Sequence, residues 1–141
     1  FDQRGIRFTP PQIYNTAQTP EALYRRGLEI RGQLTGDASA APEASYVTNA
    51  ERDFSRLTTE YMWGAIWGRP GLDMRSRSVC TLSALTALVR ERHLPFHIRG
   101  ALRLGFSQEE IIEIFIQDAV YAGFPAARTA IDIANEVFRA G

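Results

Sequence analysis

The stretch GFSQEEIIEIFIQDAVYAGFPAA, residues 105–127, decides the fold class. Ser107 and Glu110 form a capping box, in which a hydroxyl and a carboxylate satisfy backbone N–H groups at a helix start. Ile111, Ile112, Ile114, Phe115, Ala119 and Val120 then recur at helical spacing. Gly123 ends that helix, and Pro125, whose missing N–H is harmless in a first turn, starts the next, with Ala127, Ala130, Ile131, Ala134, Val137 and Phe138 along it.

The same signals extend toward the N-terminus. Pro95 cannot sit in a helix interior, so a third helix capped by Asp73 is predicted to end near Arg92, and a fourth to run from about Leu94 to Gly105. Val79, Leu82, Leu85, Ala87 and Leu88 make the third helix apolar on more than one side, which predicts that it lies at the centre. Thr48 with Glu51 is a second capping box, opening a helix through Phe54, Leu57, Tyr61 and the Trp63–Trp67 segment until Gly68, Pro70 and Gly71 stop it. Thr19 and Pro20 open the first helix, which ends at Gly36, and DASAAPEAS, residues 37–45, is a loop. Residues 1–18, with Pro10 and Pro11, read as an extended arm preceding one domain over 19–141. The prediction is an all-α, six-helix antiparallel bundle. Apolar surface on its third and fifth helices exceeds what one subunit covers, so self-association is expected.

Composition narrows the chemistry. At 141 residues, with 45% hydrophobic and 23% charged residues, the chain has the usage of one folded domain. Sixteen basic residues balance sixteen acidic ones, so neither nucleic acid nor an anionic membrane is an expected partner. All the basic residues are Arg, which removes Schiff-base chemistry and a lysine base. A single cysteine, Cys80, permits no internal disulfide and no two-cysteine redox motif; a reducing, cytoplasmic setting is expected. No run approaches the roughly 20 apolar residues of a membrane span.

The candidate catalytic group is His97, placed in a helix first turn, where the dipole and free N–H groups disfavour the imidazolium. A packed or surface imidazole is the alternative. Glu91, just across the Pro95 corner, could orient His97 or take its other proton; taken alone it reads as a solvated helix-end charge. His93 and His97 are four apart, but Pro95 between them argues against a shared metal-binding face, and no metal is expected. Trp63 and Trp67 beside Arg69, with Arg77 following, could form an apolar wall with guanidinium groups for a carboxylate. Aromatics at this spacing also fill cores, and an Arg also serves in ion pairs. Cys80 reads as a small buried side chain.

Four stretches together resemble the carboxymuconolactone decarboxylase family, from about Ala22 to Phe138: GLEIR at 27–31; WGAIWGRPGL at 63–72 with RSRS at 75–78; HIRGAL at 97–102 with GFSQEEI at 105–111; and QDAVYAGFPAA at 117–127. The resemblance implies a helical subunit in a ring-like homo-oligomer, trimer or hexamer, and cofactor-free loss of CO2 from a carboxylated unsaturated lactone. His97 and Glu91 match its non-thiol pattern, and the CxxC pair of the related alkylhydroperoxidase D-like branch is absent. Relative to decarboxylases of aromatic catabolism, an acid between the tryptophans is Ala65 here, another acid is His93, and an Asn-Asn pair is Arg103-Leu104. Trp63, Ala65, Trp67, Arg69, Arg77 and His93 are thus the expected substrate-binding set. Proton transfer on a small enolisable acid or lactone is the expected activity. Isomerisation, cyclisation or dehydration of a polyketide-like intermediate, and a non-catalytic scaffold, are the other two.

Overall fold

The computed structural model describes residues 18–39, 41 and 45–141; the arm expected over 1–18 lies, apart from Gln18, outside them. Six α-helices follow in chain order: α1 (Pro20–Thr35), α2 (Asn49–Leu57), α3 (Met74–Ala87), α4 (Leu94–Arg103), α5 (Gln108–Ala122) and α6 (Phe124–Arg139). A π-helical stretch, Thr58–Trp67, prolongs α2, and a 3-10 turn, Glu91–His93, leads into α4. No strand occurs among the described residues, so the chain is all-α as its sequence predicts.

Local chemistry accounts for the helix starts. Thr19, Asp73 and Ser107 are extended residues whose side chains accept the N–H of Ala22, Ser76 and Glu110. At Ser107 the capping box is complete, because Glu110 returns its carboxylate to the Ser107 N–H at 2.7 Å. At α2 it is displaced by one residue. Thr48 accepts from Glu51 N–H, but the Glu51 carboxylate bonds the N–H of Val47 at 2.8 Å.

The end of α3 departs from expectation. It stops at Ala87 rather than near Arg92, because Val89 takes φ 54° and closes a Schellman motif: Arg90 N–H reaches the Leu85 carbonyl and Val89 N–H that of Thr86. The end of α4 is built alike, with Phe106 bonding Ala101 and Gly105 bonding Leu102, but there glycine occupies the left-handed position at φ 85°. A β-branched residue in that region gives no sequence signal.

The centre also differs. Only Ser78, Leu82 and Thr86 of α3 are buried, and Leu88 and Val89 after it are exposed, so α3 is a flank. The middle belongs to α4, which packs against α1 on one side and against α3 and α6 on the other. Leu94, Ile98 and Ala101 enter the larger core with Leu82, Ile111, Phe115, Ala130 and Ala134, whereas Phe96 and Leu104 face a second cluster of Ile30, Leu34, Trp63 and Trp67. Glycine lets α1 lie close against the π-helical stretch. A Cβ on Gly27 would stand 2.0 Å from the Thr59 carbonyl oxygen, and one on Gly64 2.2 Å from that of Leu23.

Candidate active site

The second cluster is where the candidate residues meet. Trp63 and Trp67, from the π-helical stretch, are 3% and 8% exposed, and their rings lie 5.0 Å apart between centroids. The His97 ring of α4 stacks near-parallel to both, 6.3 Å from each centroid at 24° and 23°. Phe96 meets the same imidazole edge-on at 5.0 Å. His97 therefore sits in an aromatic box, with the faces of two indoles and one phenyl around it.

That enclosure sets its charge. Burial, and secondarily the charge of nearby His93, push the His97 pKa down to about 4. Its Nδ1 is shut off from solvent with no hydrogen-bond partner. Protonating Nδ1 would bury an unpaired N–H, so the ring rests neutral, most cheaply with its proton on Nε2. Burial dominates here, whereas the sequence suggested the helix dipole.

The remaining candidates are spread around this box. Ala65, between the tryptophans in sequence, is buried. Arg69 and Arg77 are half-buried, and Arg77 Nη2 donates to the Arg69 carbonyl at 2.9 Å while its Nε is enclosed without a partner. Arg26 of α1, unremarked in the sequence, donates from Nη2 to the Gly68 carbonyl, and its guanidinium fills the space a Cβ on that glycine would take. Two guanidinium groups thus hold consecutive carbonyls at the negative end of the helix that carries the tryptophans. Glu91 and His93 are exposed on the 3-10 turn, and the charge of His93 adds to the lowering of the His97 pKa. Phe96 was missed because a neighbour one position away normally points about 100° elsewhere around a helix, and only packing shows the ring folding back. A separate groove of about 860 Å3 between α3, α5 and α6, lined by Val79, Phe106, Ile112 and Phe138, contains none of these residues. Cys80, expected to be buried, is exposed.

A helical box around a neutral histidine, with no thiol in it, narrows the comparison to known proteins. The sequence model of the carboxymuconolactone decarboxylase family matches residues 52–136, which span the tryptophans and His97. The chain belongs to the carboxymuconolactone decarboxylase family. It is 34% identical over 119 residues to a 4-carboxymuconolactone decarboxylase of Acinetobacter baylyi, covering 84% of this chain and 89% of that protein. It is 32% identical over 122 residues to a nitrosuccinic acid decarboxylase of Metarhizium robertsii, covering 84% and 85%. Membership of this family makes the chain an enzyme of the carboxy-lyase class, acting on a small molecule. No helix among its described residues is long and apolar enough to cross a membrane.

Proposed function

We propose that the chain decarboxylates a small carboxylic acid whose carboxylate adjoins an electron-withdrawing group, and that His97 serves the reaction from inside the aromatic box. The observation that carries this is the neutral His97 ring stacked on Trp63 and Trp67. Loss of CO2 breaks a C–C bond and sends its electron pair into the neighbouring unsaturated system. A neutral imidazole with its proton on Nε2 can donate a hydrogen bond to the oxygen that becomes negative while keeping that proton, and the carbon left behind then takes a proton from solvent. The indoles lower the local polarity around a carboxylate whose charge disappears in the transition state. Arg69 supplies the cationic charge for substrate, with Arg77 holding its backbone; Glu91, outside the box, is left without a catalytic part.

The names of the two relatives support the class, since a lactone and a nitro group are both electron sinks. Their substrates are the first to assay: purified protein with 4-carboxymuconolactone or nitrosuccinate, following CO2. Release with either supports the proposal, and consumption of substrate without CO2 turns it toward isomerisation.

Assembly belongs to the same proposal. No residue of α2 is buried, and Phe54, Leu57 and Tyr61 form an apolar edge along it, 71%, 62% and 54% exposed. Ile116, Val120, Tyr121 and Phe124 make a second such edge at the end of α5. Further copies of this chain cover both.

A further inference from the structure

We propose that Arg26 is a positioning residue of the site: by holding the Gly68 carbonyl it fixes the last π turn, and with it Trp67 against His97, an inference that rests on His97 acting in the reaction. That turn hangs on one bond. Gly68 N–H reaches the Trp63 carbonyl, five residues back, at 3.1 Å, so a single turn carries both tryptophans. The α-helical alternative would bring the same N–H to the Gly64 carbonyl, four residues back, and would rotate Trp67 relative to Trp63. Because the π register is rare, a contact from outside the stretch is needed to select it.

Arg26 is built to supply that contact. Its backbone is fixed along the stretch, because the neighbouring Gly27 lies against Thr59 near the start and Leu23 lies against Gly64 further on. From there the half-buried Arg26 side chain reaches the far end, where Nη2 donates to the Gly68 carbonyl. Gly68 leaves the helix at φ −76° and ψ 2°, so its carbonyl is one that a helix end leaves without an internal donor. A Cβ on Gly68 would stand 2.6 Å from Arg26 Nε and 2.5 Å from the Gly64 oxygen, so the glycine is confined between the guanidinium and the carbonyl its N–H would need in the α register. A shift into that register would move the Gly68 carbonyl away from Arg26. Trp67, the residue before, is buried and stacks on the His97 ring, so the same shift would open the box. Arg77 holds the next carbonyl, that of Arg69, one residue further from Trp67.

The test compares the full chain with Arg26→Met, which keeps an apolar stem and loses the donor, and with Arg26→Lys, which keeps a donor. Far-UV circular dichroism checks the helix content. Trp63 and Trp67 are the chain's two tryptophans, so the exciton couplet of their indoles reports the 5.0 Å, 46° pairing. An NMR titration of 15N-histidine protein reports the enclosure of His97, whose pKa is about 4 in the wild type. In Arg26→Met the couplet should weaken and His97 should titrate nearer 6.5. On whichever of 4-carboxymuconolactone and nitrosuccinate is turned over, kcat should fall by up to about 10²-fold at little-changed KM, the effect of a misplaced catalytic group. Arg26→Lys should restore all three. A folded Arg26→Met with the wild-type couplet and titration overturns the proposal. So does an Arg26→Met that no longer folds, which would make Arg26 a residue of overall stability, and so does an Arg26→Lys that matches Arg26→Met, which would show that the bond is not what counts. A silent His97→Ala would instead remove the role of His97 and leave the spectroscopic comparison standing, so the two failures are distinguishable.

Discussion

The indole of Trp63 and the imidazole of His97 lie nearly parallel, 24° between planes and 6.3 Å between centroids, although they come from helices separated by α3. This pairing takes His97 out of water and ties the proposed chemistry to one side chain.

Replacing His97 by Ala should lower kcat for CO2 release by roughly 10²- to 10⁴-fold, the range of a lost acid–base or hydrogen-bonding group. Steady-state kinetics on 4-carboxymuconolactone or nitrosuccinate would show it, and a variant retaining near wild-type kcat would refute the assignment.

Acid should weaken the fold through the same ring. With the folded pKa lowered from 6.5 to about 4, the unfolded chain binds a proton between those values and the native state does not. Stability contributed by the neutral ring is present above pH 6.5, declines as pH falls, and is gone by about pH 4. The limit is about 3 kcal/mol. Urea titrations at pH 7, 5.5 and 4 should therefore show a steeper loss in the wild type than in His97→Asn, and parallel losses would contradict the buried ring.

Gly27→Ala should be destabilising although Ala is the better helix former, because its methyl would stand 2.0 Å from the Thr59 carbonyl oxygen. Separating α1 from the π-helical stretch should cost about 1–3 kcal/mol, the usual scale of overpacking. Gly71→Ala, with nothing within 4 Å, is the control and should leave the melting temperature nearly unchanged.

Phe54→Asp and Val120→Asp place charges on the two exposed apolar edges without touching the aromatic box. Light scattering after size exclusion should give a multimer for the wild type and smaller species for these variants. A monomeric wild type at micromolar concentration would end the proposal of assembly.

The helix starts were legible because their causes are local. Thr19, Asp73 and Ser107 each bond a backbone N–H three residues ahead, a relationship written in consecutive letters. Val89 shows the limit of this: it fills a position where glycine is usual, so α3 ends early with no residue to announce it. The ten-residue π register was equally silent. Gly68 N–H reaches back five residues to the Trp63 carbonyl, and the pattern of apolar residues is compatible with either helix.

Of the candidate site, the sequence marked His97 and the two tryptophans but could not show that they stack, that Phe96 joins them, or that Arg26 bonds the Gly68 carbonyl after Trp67. It paired His97 with Glu91, which stands exposed on the 3-10 turn, and gave no sign that His93 would be the charge that helps lower the His97 pKa.

The sequence by itself determined an all-helical chain, most of its boundaries, its family resemblance and the absence of lysine and paired thiols from its chemistry, because caps, periodicity and composition act over a few neighbouring residues. Only the tertiary structure decided that α4 is the centre, that Arg77 grips a backbone carbonyl, and that burial rather than the helix dipole keeps His97 neutral. Each of those depends on desolvation and contacts between residues far apart in the chain, which exist only once the helices have packed.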